Sequence, residues 1–361
     1  MSDEFAIVTT PEEITPEWLT GVLRDAGHLD RAAVTAVDAR PLGTGQMCDS
    51  LRMRLTYDGP TDAPTAMVAK LPAADETSRV TAATLRSYEK EVRFYEQLDA
   101  SLAIPTPTVF HVALDEQDLS RFGLLLEDLA PAEQGDQLVG CTPAVAAEAV
   151  RELVGLHAPR WGDPALADIE WLRGDRETGI AMMSMLLPTL WTGFTERYDA
   201  DLGDDVRVAG ADLFEHLLAF LTPTGGPETV VHGDYRLDNL LLRPDGGVAG
   251  VVDWQTVTLG AALSDVAYFI GAGLSAEDRR AHEEQLVRDY HRGLGEAGVT
   301  GYDWDECWAD YRRGTFAGLM MAVAASMLVE RTARGDEMFL TMAARHSRHA
   351  LDLDATELLA G

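Results

Sequence analysis

Residues 232–255 read HGDYRLDNLLLRPDGGVAGVVDWQ. Two apolar runs, LLL and VAGVV, flank Asp245-Gly246-Gly247, the composition of a tight hairpin turn. A turn centred there puts Asn239 on the first strand within about one residue of Asp253 on the second, and cross-strand neighbours have Cβ atoms about 5 Å apart. At that separation an amide oxygen and a carboxylate bind one hard cation. Magnesium suits such a pair, because it takes few protein ligands and completes its shell with water and phosphate oxygens. Asp234 lies five residues before Asn239, after the apolar run TVV, and faces the same point without having to bind the metal. A carboxylate that orients a hydroxyl, beside an Asn and an Asp that hold magnesium, is the equipment of phosphoryl transfer. Each of the three also reads, singly, as an ordinary turn or cap residue. Their joint spacing is what favours chemistry.

Upstream, the chain alternates between strand and helix signals. Three strand-like runs, VTAVDARPL, SLRMRLTY and TAMVAKL, precede a helical stretch at about Ser78 to Leu98. Asp58-Gly59-Pro60 separates the second run from the third. After Pro105 and Pro107 come two more runs, TVFHVAL and FGLLLE. This order predicts a small antiparallel sheet with one helix packed on it. Only two of the 29 basic residues are lysines, Lys70 and Lys90, and Lys70 ends the third apolar run. Projected at 100° per residue, the helix gathers Leu85, Tyr88, Val92, Phe94, Tyr95 and Leu98 on one arc with Glu91 inside it. A carboxylate among apolar side chains is costly unless paired. Lys70 is the expected partner and Lys90 points elsewhere on the helix, with a solvent-directed Glu91 as the plainer alternative. A Lys–Glu pair of this kind positions nucleotide phosphates.

Between the first two strands lies PLGTGQMCDS (41–50). Gly43 and Gly45 there let backbone N–H groups approach a phosphate, or simply close a hairpin loop. At the end of the sheet, the backbone of Glu127 to Leu129 is placed to hydrogen-bond an adenine edge.

The chain has 361 residues, enough for two lobes. Its 29 basic and 60 acidic residues give a net charge of −31. That field repels nucleic acid and an anionic membrane surface. It attracts small cations or serves only solubility. Cys48, Cys141 and Cys307 show no paired or metal-type spacing, and MSDEFAIVTT carries no secretory pattern, so free thiols in the cytoplasm are expected. GTFAGLMMAVAASMLV (314–329) is short for a bilayer span and reads as a buried core helix. The expected division is an N-terminal helical extension (1–30), a nucleotide-binding N-lobe (31–129) and a C-lobe (130–361) that holds the catalytic loop, metal site and acceptor pocket. A polar linker at Asp128 to Gln137 joins the two lobes.

With Lys70, Glu91, HGDYRLDN (232–239) and DWQ (253–255) in that order, the chain resembles the aminoglycoside phosphotransferase family. It looks closest to the choline-kinase-like and ecdysteroid-kinase-like branch, whose E-x-x-F-Y motif runs here from Glu91 to Tyr95. The likeness covers about residues 38–350. It implies an α+β, bilobal protein-kinase-like fold, with an antiparallel N-lobe sheet, one main N-lobe helix and a mostly helical C-lobe. It also implies ATP or GTP with Mg2+ and transfer of the γ-phosphoryl group to a small-molecule hydroxyl. Carried over by motif, Asp234 resembles the catalytic base, Asn239 and Asp253 the metal ligands, and Lys70 with Glu91 the phosphate-positioning pair. Asp265, in SDVAYF, resembles a structural brace.

Protein kinases differ at three points. Gly233 stands where their H-R-D loop has Arg, Trp254-Gln255 replaces F-G, and no A-P-E follows. Only ten positions separate Gln255 from Asp265, too few for a protein-substrate activation loop, so no protein substrate is expected. A nucleotide-binding pseudokinase would need a missing catalytic group, and none is missing. A metal-dependent hydrolase built on Asp234, Asn239 and Asp253 would leave the Lys70–Glu91 pair without purpose. The methionine-rich stretch at about Thr178 to Tyr198 reads as core or as an apolar wall of the acceptor pocket. Arg236 either meets an anionic acceptor or braces its loop, and His157 and Trp161 read as packing residues.

Overall fold

The computed structural model describes residues 5–43 and 47–359. The chain divides into two compact units. The first comprises Met1–Ala100, Thr106–Ala130 and Asp253–Gln255, and the second Ser101–Pro105, Pro131–Val252 and Thr256–Gly361.

In the first unit, β1 (Val34–Pro41), β2 (Cys48–Tyr57), β3 (Ala66–Pro72), β4 (Val109–Leu114) and β5 (Phe122–Glu127) form an antiparallel sheet in the order β1-β2-β3-β5-β4. Side chains alternate across a strand. Leu51, Met53 and Leu55 of β2 are therefore buried while Arg52 and Arg54 turn the other way. Met67, Ala69 and Leu71 of β3 join the same core as Leu19, Val22 and Leu23 of α1 (Pro16–Asp25). Proline opens α1, and the Thr15 hydroxyl accepts from the Trp18 N–H, the usual way to satisfy an orphan donor. The N-terminal helix is thus part of the sheet's own core. The same alternation turns Lys70 to the opposite face of β3.

The single helix expected over residues 78–98 is two helices and a wide turn. α2 (Glu76–Thr84) stops, Arg86 takes a left-handed conformation (φ 57°), and α3 (Ser87–Arg93) begins from it. A π-helical turn follows at Phe94–Leu98. The break rotates α2 out of the projected arc. Leu85 is consequently 40% exposed, whereas Tyr88, Glu91, Val92, Phe94 and Leu98 are buried. Glu89 is also buried, and the Arg86 guanidinium binds both its carboxylate oxygens.

Apart from Ser101–Pro105, the second unit begins within the polar stretch expected as a linker. Glu133–Gln134 forms β6, which pairs with β8 (Leu240–Leu242), itself antiparallel to β9 (Val248–Val251). β7 (Thr229–Val231) pairs with β10 (Thr258–Gly260). The rest is helical. α4 (Pro143–His157), the short α5 (Glu170–Arg173), α6 (Arg176–Arg197), α7 (Asp204–Glu215) and α8 (Leu217–Leu221) precede β7. α9 (Leu263–Gly273), α10 (Ala276–Glu296), α11 (Trp304–Gly314), α12 (Ala317–Leu328) and α13 (Ala333–Asp352) follow β10.

α9 is buried along nearly its whole length and packs against α4, α10, α11, α12 and α13. α12, the apolar stretch near the C-terminus, buries Leu319, Ala322 and Val323 in the helical core. No helix of the described residues is long and apolar enough to cross a membrane. The methionine-rich α6 divides along its length. Leu187, Leu190 and Phe194 enter the core, while Met182 and Met185 are exposed.

Glycine sets how closely α12 and α13 approach. A Cβ on Gly318 would run into Nε2 of His346, which is fully buried, and one on Gly271 would lie 2.7 Å from Nδ1 of the same ring. The imidazole therefore occupies a slot that two missing side chains create. Gly318→Ala overpacks that slot and should cost about 1–3 kcal/mol, read as a lower urea midpoint at unchanged m-value.

Candidate functional site

In the first unit the DWQ tripeptide is anchored residue by residue. Lys70 Nζ donates to Glu91 Oε1 at 2.5 Å and to Asp253 Oδ1 at 3.0 Å. Gln255 Nε2 donates to the other Glu91 oxygen at 3.2 Å. The Trp254 and Phe94 rings stack 3.7 Å apart at 9°. The Lys70 and Glu91 side chains are only 8% and 0% exposed, against 38% for Asp253. Glu91 is therefore a buried carboxylate with both oxygens satisfied, which is the condition for tolerating it in a core.

Burial acts against the Lys70 ammonium, yet the charges of Asp253 and Glu91 hold it well above its ordinary value. Burial pushes the Glu91 carboxyl up while Lys70 pulls it back. Cys48, beside this cluster at the start of β2, has its thiol pushed up to about 12 by burial and is chemically quiet. Asp253 itself sits in the left-handed region, at φ 68°. Such backbone strain in a non-glycine residue concentrates at functional positions.

The two glycines of the 41–50 loop divide. Gly43 is exposed with φ 73°, in the conformation that favours glycine, while Gly45 lies outside the described residues. At the end of β5, Thr108 takes both the amide and the carboxylate of Glu127. Leu129 is half-buried beyond the strand.

In the second unit, the 232–239 loop is held from three sides. Asp265 of α9 accepts from the backbone N–H of His232 (2.7 Å) and of Gly233 (2.9 Å), and it also meets His157 Nε2 at 3.3 Å. His157, expected as packing, is thus a buried polar tie, with its other ring nitrogen 2.6 Å from the Tyr290 hydroxyl. Trp161 packs on Tyr302, as a packing residue would. Gly233 turns at φ 79°, and a Cβ there would lie 2.7 Å from the Thr256 carbonyl oxygen. Glycine is required at that position, where the protein-kinase loop carries arginine. His232 Nδ1 accepts from the Asp234 N–H and its Nε2 lies 3.1 Å from the Val252 carbonyl, which assigns the proton to Nε2.

Asp234 is surrounded by donors. Its Oδ2 accepts from Asn239 Nδ2 (3.0 Å) and Arg236 Nε (3.1 Å), and its Oδ1 accepts from the Tyr268 hydroxyl (2.6 Å). Asn239 Nδ2 also donates to the Asp234 carbonyl at 2.8 Å. Both bonds use the amide nitrogen, which leaves the Asn239 oxygen as its acceptor for something else. The backbone of Asn239 pairs with Val252, the residue before Asp253. Arg236 binds Asp238 as well, and its Nη1 lies 3.1 Å from the Met338 sulfur. Burial opposes its charge, but Asp234 and Asp238 push the guanidinium up. Engaged with two carboxylates, Arg236 braces its loop.

Sequence reasoning brought out Lys70, Glu91, Asp234, Asn239 and Asp253, and passed over Gln255 as a partner of Glu91 and Tyr268 as a partner of Asp234. Tyr268 stands three residues after Asp265 on α9. Residues at i and i+3 share a helix face, and that spacing was the available signal.

Residues 61–306 match the model of the APH group, the phosphotransferase enzyme family. Acyl-CoA dehydrogenase family member 11 from Homo sapiens is 38% identical over 77 residues, 21% of this chain and 10% of that protein. The Rattus norvegicus protein of the same name is 31% identical over 168 residues, 42% of this chain and 20% of that protein. The chain thus spans about a tenth to a fifth of the length of these curated relatives.

Among solved structures, a Ralstonia eutropha protein assigned to the aminoglycoside phosphotransferases aligns with TM-score 0.50 at 19% identity, covering 92% of this chain and 97% of that one. The gentamicin complex of APH(2'')-IIa aligns with TM-score 0.51 at 15% identity, covering 96% and 99%. At such identities the likeness is one of fold. The family model spans well over half the chain and includes Lys70, Glu91, the 232–239 loop and DWQ. The chain therefore belongs to the phosphotransferase enzyme family.

Proposed function

We propose that this phosphotransferase moves the γ-phosphoryl group of ATP or GTP to a hydroxyl of a small molecule, in a cytoplasmic setting. The observation that carries the reading is the double grip of the Lys70 ammonium, on buried Glu91 and on Asp253. A lysine fixed by a glutamate and set against a metal-binding aspartate is how kinase-like sites hold a triphosphate. The donor set fits magnesium, because Asn239 offers an amide oxygen and Asp253 a carboxylate, both hard ligands. When bound, that cation neutralises charge on the β- and γ-phosphates.

The chain's own residues do the rest. Lys70 neutralises non-bridging phosphate oxygens. The backbone amide at Gly43 approaches the phosphates, and the Glu127 carbonyl and Leu129 backbone meet the base. Asp234 orients the acceptor hydroxyl and takes its proton as the new O–P bond forms, while the β,γ-bridging P–O bond breaks and the nucleoside diphosphate leaves. Positioning and preset charge supply most of the acceleration. A small acceptor is supported by the short span from Gln255 to Asp265, and the net charge of −31 disfavours a polyanionic partner.

Asp234→Ala should lower turnover by about 10²–10⁴-fold with nucleotide affinity kept. It is read as ADP or GDP release against a panel of aminoglycosides, macrolides and hydroxyacyl thioesters, with mass detection of the added phosphate. Wild-type binding of nucleotide without turnover on any acceptor would point to a pseudokinase, and absent nucleotide binding to a hydrolase.

Lys70→Met strands a buried carboxylate. It should destabilise the chain by about 3–5 kcal/mol and weaken nucleotide binding. Adding Glu91→Leu should restore most of the stability and none of the affinity, as measured by urea unfolding and calorimetry.

A further inference from the structure

We infer that Tyr268 is a positioning residue for phosphoryl transfer, fixing the Asp234 carboxylate through a hydrogen bond to the oxygen that no other group among the described residues holds. The inference rests on the reading of Asp234 given above. Among the described residues, Asp234 Oδ2 takes two donors, Asn239 Nδ2 and Arg236 Nε, whereas Oδ1 takes only the Tyr268 hydroxyl, at 2.6 Å. The last torsion of an aspartate side chain is broad and nearly two-fold, so bonds at one oxygen do not hold the plane of the carboxylate. The phenol closes that freedom from the opposite side.

The tyrosine is itself fixed. It is buried, and its ring stacks on His346 at 5.3 Å and 17°, the imidazole that fills the slot left by Gly271 and Gly318. Burial, reinforced by the Asp234 charge, holds the phenol well above its ordinary value, so the hydroxyl stays a donor and the carboxylate the acceptor. One turn earlier on the same helix, Asp265 holds the backbone of His232 and Gly233. A single buried face of α9 therefore sets both the path of the loop and the plane of its carboxylate. A core tyrosine with no such task would be served by phenylalanine, which fills the same space on His346.

The test is Tyr268→Phe in the full chain, with MgATP and MgGTP as probes. Diphosphate release to water is followed at saturating nucleotide, nucleotide affinity by calorimetry, and folding by thermal melting. Phenylalanine keeps the stacked ring, so the melting temperature should move by only a few degrees. The expected result is a kcat lower by about 10- to 100-fold, the scale of a misplaced catalytic group, with nucleotide affinity within about two-fold of wild type. The loss should vanish in an Asp234→Asn background, because a group acting through Asp234 has nothing left to position. A crystal structure of Tyr268→Phe should show the carboxylate turned about its last torsion.

An unchanged kcat with an unturned carboxylate, an equal loss in the Asp234→Asn background, or a loss shared by rate, affinity and melting would overturn the inference. If Asp234→Asn is itself as fast as wild type, the reading of Asp234 fails first. If it is slow while Tyr268→Phe is not, only the role of Tyr268 falls.

Discussion

A fully buried carboxylate must have every oxygen satisfied or the fold pays for it, and Glu91 imposes that condition on the first unit. Lys70 answers one oxygen and Gln255 the other. Because Lys70 stands on β3 and Gln255 lies well over a hundred residues later in the chain, satisfying one side chain ties the sheet, α3 and the DWQ tripeptide together. The Trp254–Phe94 stack adds dispersion to the same junction. The tripeptide belongs to the first unit although its flanking residues belong to the second. Ion pairs of this kind are poor sources of net stability but stringent about geometry, since either partner alone is a buried charge without relief.

The second unit solves a related problem with hydrogen bonds. The 232–239 loop must bend at Gly233 and still present Asp234, and α9 supplies the restraint. Asp265 collects two loop amides and Tyr268 collects the carboxylate. Five helices bury α9 along nearly its whole length. Arg236, which in sequence reads equally as an acceptor contact or a brace, is committed to two carboxylates of its own loop. A guanidinium so engaged has little capacity left for an incoming anion, and the loop gains a second clamp.

Parts of this were legible from composition and spacing. The strand runs, the Asp245-Gly246-Gly247 turn, the apolar arc around Glu91 and the scarcity of lysine all rest on local chemistry, and local chemistry is written in order along the chain. The break at Arg86 was not legible. A helical projection assumes an unbroken axis, and only packing of α3 against the sheet makes a left-handed residue there worthwhile. β6 was hidden for a similar reason. Glu133 and Gln134 carry no strand propensity and pair only because β8 offers an edge. Leu85 loses its expected burial as a direct consequence of the break.

The amino-acid order alone determined which chemical groups the protein owns and the short-range geometry that spacing enforces. It holds one lysine on a strand end, one glutamate on an apolar arc, and an Asp, an Asn and a second Asp around a hairpin. Those follow from backbone periodicity, which acts over a few residues. Tertiary structure decided the pairing of donors with acceptors: Gln255 to Glu91, Tyr268 to Asp234, His157 to Asp265 and Arg236 to its own loop. Hydrogen bonds require contact within about 3 Å. Which groups reach that distance, across 34 residues for Tyr268 and Asp234 and 164 for Gln255 and Glu91, is set by how helices and sheets pack.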